Sequence, residues 1–81
     1  MEEKRLNQLA IGQSASIVSM QLPTGLRRRL FDLGMVKGTQ IKALHRSPAG
    51  DPVAYSVRGS VIALRGRDTA RIWVQITDCT E

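Results

Sequence analysis

The sequence predicts a mainly β fold: a small barrel of about five short strands with one short helix inserted between the first and second. Three observations carry this expectation. Short runs that alternate apolar and polar residues are separated by Gly- and Pro-bearing turn signals. Only one stretch, residues 24–39 (TGLRRRLFDLGMVKGT), has a convincing helical period. And 81 residues leave room for one core and no second layer, so the sheet covers its edges best by closing on itself.

In chain order, Leu6 and Leu9 are followed by Ile11 and Gly12, which reads as a turn of helix pinned by two leucines. In residues 13–22, Val18, Met20 and Leu22 share one phase and Ala15 and Ile17 the other, the pattern of a strand partly covered on both sides.

The helix comes next. Leu26, Leu30 and Leu33 fall at i, i+4 and i+7, on one stripe. Thr24 is the expected N-cap. Gly34 stands where the helix needs a C′ residue in the left-handed conformation, and Met35 follows as the apolar C″ partner of Leu30. Arg27, Arg28 and Arg29 crowd the first turn, where the macrodipole is already positive. At ~100° per residue they spread over a wide arc. Arg28 faces away from the leucines and can meet Asp32 one turn later, while the stem of Arg29 can cover the core edge near Leu33. The cluster reads either as a solvated face on a basic protein or as a docking surface for an acidic partner.

Lys37-Gly38-Thr39 turns the chain into TQIKALHR, with Ile41, Ala43 and His45 on one face and Lys42 and Leu44 on the other. Ser47-Pro48-Ala49-Gly50 matches a type I turn, and Pro52 belongs at the start of the next strand. VAYSVR places Val53, Tyr55 and Val57 together, opposite Ala54, Ser56 and Arg58. Gly59-Ser60 suits a two-residue type II′ hairpin. SVIALR pairs Ile62 with Leu64 in phase, and Asp68 is placed to cap a single helical turn. RIWVQI brings Ile72, Val74 and Ile76 into phase. Trp73 is then either partly exposed or covered by the N-terminal segment or the helix. Residues 1–76 form one domain in this reading, and 77–81 are a frayed polar tail. An SH3-like barrel with a helical insertion fits the inventory.

Composition narrows the function classes. Hydrophobic residues at 42% with 23% charged describe a folded chain. No run suits a signal peptide or the ~20 apolar residues of a membrane span. The single Cys79 makes no internal disulfide and suits a reducing compartment, so the chain reads as soluble and cytoplasmic. A net charge of +5 favours anionic partners.

Catalytic constellations are missing. The one histidine, His45, has no nucleophile or carboxylate at a readable spacing, and Asp32, Asp51, Asp68 and Asp78 sit where capping explains them. No paired metal-ligand spacing exists, so neither a metal nor a cofactor is expected. Stable nucleic-acid binding is not expected either, because a single-strand binder needs several exposed aromatic platforms and Phe31, Tyr55 and Trp73 are all there is.

The L-R-R-R-L-x-D-L-G-M-x-x-G-T run, the S-P-x-G-D-P-x-A-Y hairpin and the R-G-x-x-I-A-L-R segment, with L-x-x-L-x-x-G-Q ahead of them at Leu6, Leu9, Gly12 and Gln13, resemble the ferrous iron transport protein A (FeoA) family over nearly the whole chain. The resemblance implies an SH3-like barrel of the type also appended to iron-dependent repressors. It also implies a cytoplasmic accessory that binds and modulates FeoB, a membrane ferrous iron transporter with a G-protein domain. The contacts expected are Arg27, Arg28 and Asp32 on the helix, Leu26 and Met35 at its ends, and Arg58 and Arg65 extending the basic surface. Two other functions stay open: stimulation of the transporter's GTP hydrolysis by an arginine supplied in trans, and nucleic-acid binding by a small basic barrel. Self-association through a barrel edge or Trp73 is a further possibility.

Overall fold

The structure, a computed structural model, describes residues 3–77. Among them the chain forms β1 (Glu3–Arg5), β2 (Ser14–Met20), α1 (Thr24–Asp32), β3 (Gln40–Arg46), β4 (Val53–Val57), β5 (Ser60–Leu64), α2 (Gly66–Thr69) and β6 (Ile72–Ile76). The strands make one antiparallel sheet in the order β1-β6-β2-β3-β4-β5, so the last strand lies between the first two.

That is one strand more than the sequence predicts. β1 is Glu-Lys-Arg, with no apolar alternation to betray it, and it exists because β6 offers a free edge: Lys4 pairs with Val74 and Arg5 with Trp73. The Arg5 guanidinium lies 5.1 Å from the centre of the Trp73 ring, so the N-terminal segment is what covers the tryptophan. The two leucines behave as expected. A 3-10 turn at Leu6–Gln8 follows β1, and Leu6 and Leu9 are both buried.

The inner face of the sheet supplies the core. Ala15 and Ile17 of β2, Ile41 and Ala43 of β3, Tyr55 and Val57 of β4, and Ile72 and Val74 of β6 meet there, closed by Leu30 and Met35 from the insertion. Period-2 alternation explains each pair, and two bulges modify it. One between Ile17 and Ser19 shifts the register against β6. The other, between Ala43 and His45, turns His45 out of the face it was expected to share with Ile41 and Ala43, leaving it exposed.

Two further expectations are corrected. The β4–β5 turn is Arg58-Gly59, one residue earlier than predicted, with φ of +50° and +86°. Two positive φ values define type I′, whose twist matches the flanking strands. Asp68 makes no side-chain cap on α2. Asp51 reaches that helix start instead, its Oδ1 accepting from the Gly66 N–H at 2.6 Å. The type I turn is as read, with the Gly50 N–H donating to Ser47 O at 2.8 Å. At the C-terminus, the Thr77 N–H donates to Ser14 O at 3.1 Å and its hydroxyl to Gln40 Oε1 at 2.9 Å. Residues 78–81, the rest of the predicted tail and the site of Cys79, lie outside the described residues.

Candidate partner-binding surface

Helix α1 starts behind Pro23, whose carbonyl accepts from the Arg27 N–H at 2.9 Å. Thr24 is therefore the first helical residue and not the cap, and no side chain caps this end. Arg27, Arg28 and Arg29 all stand exposed, but with Thr24 first they begin after the opening turn of a nine-residue helix, so they do not crowd that turn as expected. Arg29 already belongs to the last turn, where the dipole favours a cation.

The far end is closed with care. The Gly34 N–H donates to Phe31 O and the Met35 N–H to Leu30 O, both at 2.9 Å, with φ of +96° at Gly34. These are the paired bonds of a Schellman end. The Thr39 hydroxyl then donates to Gly34 O at 2.9 Å and accepts from the Val36 N–H at 3.1 Å. The Gly38 N–H to Ile17 O bond (2.7 Å) and the Ile17 N–H to Thr39 O bond (2.9 Å) stitch the loop to β2. The helix and its exit are thus held rigidly at one end.

Only part of the leucine stripe is buried. Leu30 is 1% exposed and belongs to the core, Leu26 is half-buried against it, and Leu33 is 40% exposed. Leu33 lies three residues beyond Leu30, ~60° short of a full turn, so it points along one flank of the helix instead of under it. Phe31 is 63% exposed on the other flank. The offset of Phe31 by one residue from Leu30 places it ~100° off the buried direction, on the helix flank as the sequence predicts.

α1 is therefore a rib between two grooves. On the Phe31 side, a groove of about 400 Å³ runs between the helix, Met20 of β2 and the 35–37 loop, with Arg27, Arg28 and Lys37 on its lining. On the Leu33 side, a smaller one of about 200 Å³ lies between α1 and the β5–α2 segment, lined by Leu26, Arg29, Ile62 and Arg65 among others.

The expected contact residues divide across this geometry. Leu26, Arg27, Arg28 and Asp32 share α1, but among the described residues no ion pair joins Arg28 to Asp32. Arg58 leaves the β4–β5 turn and lies over Gly34 at the helix end. Arg65 is on the far flank, 4.0 Å from Asp51 Oδ2. Met35 is fully buried and lines the larger groove, so it supports this surface and presents none of its own.

Elsewhere, Tyr55 is buried beside Thr69, and burial raises its phenol above the ordinary value, against the lowering influence of the Thr69 hydrogen bond and Arg46. Among the described residues, no group of three or more His, Cys, Asp or Glu could hold a metal ion, and no helix is long and apolar enough to cross a membrane.

The FeoA domain model matches residues 4–76. An Fe(2+) transport protein A/Fe(2+) transporter FeoB fusion protein of Porphyromonas gingivalis is 33% identical over 72 residues, 89% of this chain and 8% of the fusion protein. The chain thus spans a small part of that relative's length. The solution structure of a FeoA protein from Chlorobium tepidum superposes with a TM-score of 0.90 at 33% identity, over 96% of this chain and 74% of that one. The crystal structure of Stenotrophomonas maltophilia FeoA complexed with zinc, named a procaryotic SH3 domain protein, gives a TM-score of 0.74 at 32% identity, over 86% and 87%.

Proposed function

The chain belongs to the FeoA domain family of ferrous iron transport accessories, and on that premise we propose that it docks on a cytoplasmic face of a FeoB-type transporter and modulates uptake. One observation carries the reading: α1 fully buries Leu30 alone and turns Arg27, Arg28, Phe31 and Asp32 to solvent on a scaffold whose far end is pinned by Thr39. A helix held that firmly and left that uncovered is built to meet something. Arginines along its exposed side add long-range steering toward an acidic face.

The Porphyromonas gingivalis relative supports the choice of partner, because there the FeoA part and a FeoB transporter share one chain. The surface is Leu26, Arg27, Arg28 and Asp32, joined by Phe31 and, at the helix end, Arg58, with Arg65 extending it on the far flank. Titration of the purified chain with detergent-solubilised FeoB-type transporter tests the reading. Saturable binding that weakens when Arg27 and Arg28 are reversed in charge supports it. Unchanged affinity in the folded double variant removes this surface, and no binding by the wild-type chain removes the function.

A further inference from the structure

We propose that the groove between α1 and β2 receives an acidic amphipathic segment of the transporter, with one bulky apolar side chain seated in the groove and flanking carboxylates against Arg27, Arg28 and Lys37. This rests on the function proposed above and gives that contact a chemistry.

The groove's size suits the task. About 400 Å³ lies within the ~300–1,000 Å³ of clefts that hold ligands. Its lining divides cleanly by chemistry. Met20, Phe31, Met35 and Val36 are apolar; Met20 is half-buried and its unbranched, polarizable side chain can adapt to an incoming group, while Met35 lies fully buried beneath. Phe31 forms an exposed wall able to lie against it. The remaining polar lining is Thr24 and three cations, with no carboxylate. Asp32 stands exposed outside it.

That charge distribution selects the occupant. An apolar anchor gains by leaving water, while acidic neighbours meet the cations at the rim, where they fix orientation and speed encounter more than they add affinity. A second copy of this chain is disfavoured, because at +5 it carries the same sign of charge to the same place. Bare phosphate chemistry finds the cations but leaves the apolar lining unused. The Leu33-side groove is half the volume and has Asp68 in its lining, so it presents a mixed rim to the same segment.

The test uses the full chain, nitrogen-15 labelled, titrated with short overlapping synthetic peptides that tile the cytoplasmic segments of the cognate FeoB-type transporter. A peptide with an apolar residue between Asp or Glu neighbours should shift the amides of Met20, Phe31, Val36 and Lys37. Phe31→Glu, at an exposed position, and Lys37→Glu should each weaken it by about tenfold or more. Shifts confined to the surroundings of Leu33 and Ile62 overturn the proposal. If no peptide binds, the Phe31→Glu chain is titrated with the intact transporter: a matching loss supports the groove, and wild-type affinity overturns it while leaving the transporter contact standing. Wild-type failure to bind intact transporter overturns both. Tight binding to phosphatidylserine vesicles that Phe31→Glu abolishes, without any peptide effect, assigns the groove to lipid and overturns the proposal.

Discussion

Arg58 lies across Gly34. A Cβ built on the glycine would collide with Arg58 Cδ and stand 3.1 Å from its Nε. The two residues come from different turns, and both have positive φ, +96° for the glycine and +50° for the arginine. The β4–β5 hairpin thereby places a cation over the C-terminal end of α1, where the helix dipole favours one. The same contact ties a proposed partner residue to the residue that ends the helix.

Gly34→Val should therefore destabilise the chain by more than ~1 kcal/mol, since a β-branched residue resists positive φ and its side chain must also displace Arg58. Urea denaturation measures the loss. Pairing it with Arg58→Ala separates the causes: the collision is relieved and the backbone strain remains, so recovery should be partial. Full recovery would mean that the arginine, not the conformation of Gly34, sets the requirement for glycine.

Thr39→Val removes a hydroxyl at almost constant shape. It strands Gly34 O and the Val36 N–H, which that hydroxyl satisfies at 2.9 and 3.1 Å, and a part-buried pair left unsatisfied costs on the order of 1–3 kcal/mol. The expected outcome is that loss in global stability together with faster hydrogen exchange at Val36. Thr39→Ser, which keeps both bonds, should retain most of the wild-type value.

How far the sequence reaches is visible around these residues. Gly34 and Met35 were legible as a helix end because a left-handed residue and its apolar partner are local demands. Tyr55 and Val57 were legible as core because alternation is local too. β1 was not, since three charged residues pair with β6 through backbone bonds that carry no side-chain signature. Asp51 on α2 was not, because the bond to Gly66 spans 15 positions. His45 was misplaced by a bulge, and Arg58 by a one-residue shift of the turn. At the surface, the arginines could be read but not the groove. Phe31 and Lys37 share its lining only once Gly34 and Thr39 have folded the exit loop back along the helix.

Tyr55 gives the fold an alkaline signature. Burial raises its phenol in the folded chain above the value of 10.0 that it has when unfolded. As pH climbs past that value, the unfolded chain loses the proton first and binds fewer protons than the native one, so stability falls with rising pH. The contribution is present below pH 10 and is lost as pH rises toward the folded value. For one group the slope cannot exceed ~1.4 kcal/mol per pH unit. Urea midpoints collected from neutral pH to above 10 should fall less steeply for Tyr55→Phe than for wild type. Parallel curves would show that the buried phenol does not ionise on unfolding.

Charge reversal at Arg27 and Arg28 should separate folding from function. Both side chains are exposed, at the fourth and fifth positions of a nine-residue helix. The dipole's effect falls off within the first and last turns, so charge reversal in mid-helix should leave the double variant about as stable as wild type. Its affinity for the transporter should nevertheless drop well over tenfold, because the cations steer toward and pair with an acidic surface. A variant that keeps its stability and loses binding cannot have lost it through misfolding. If binding persists, the arginines are a solvated face, and the contact belongs to another part of the molecule.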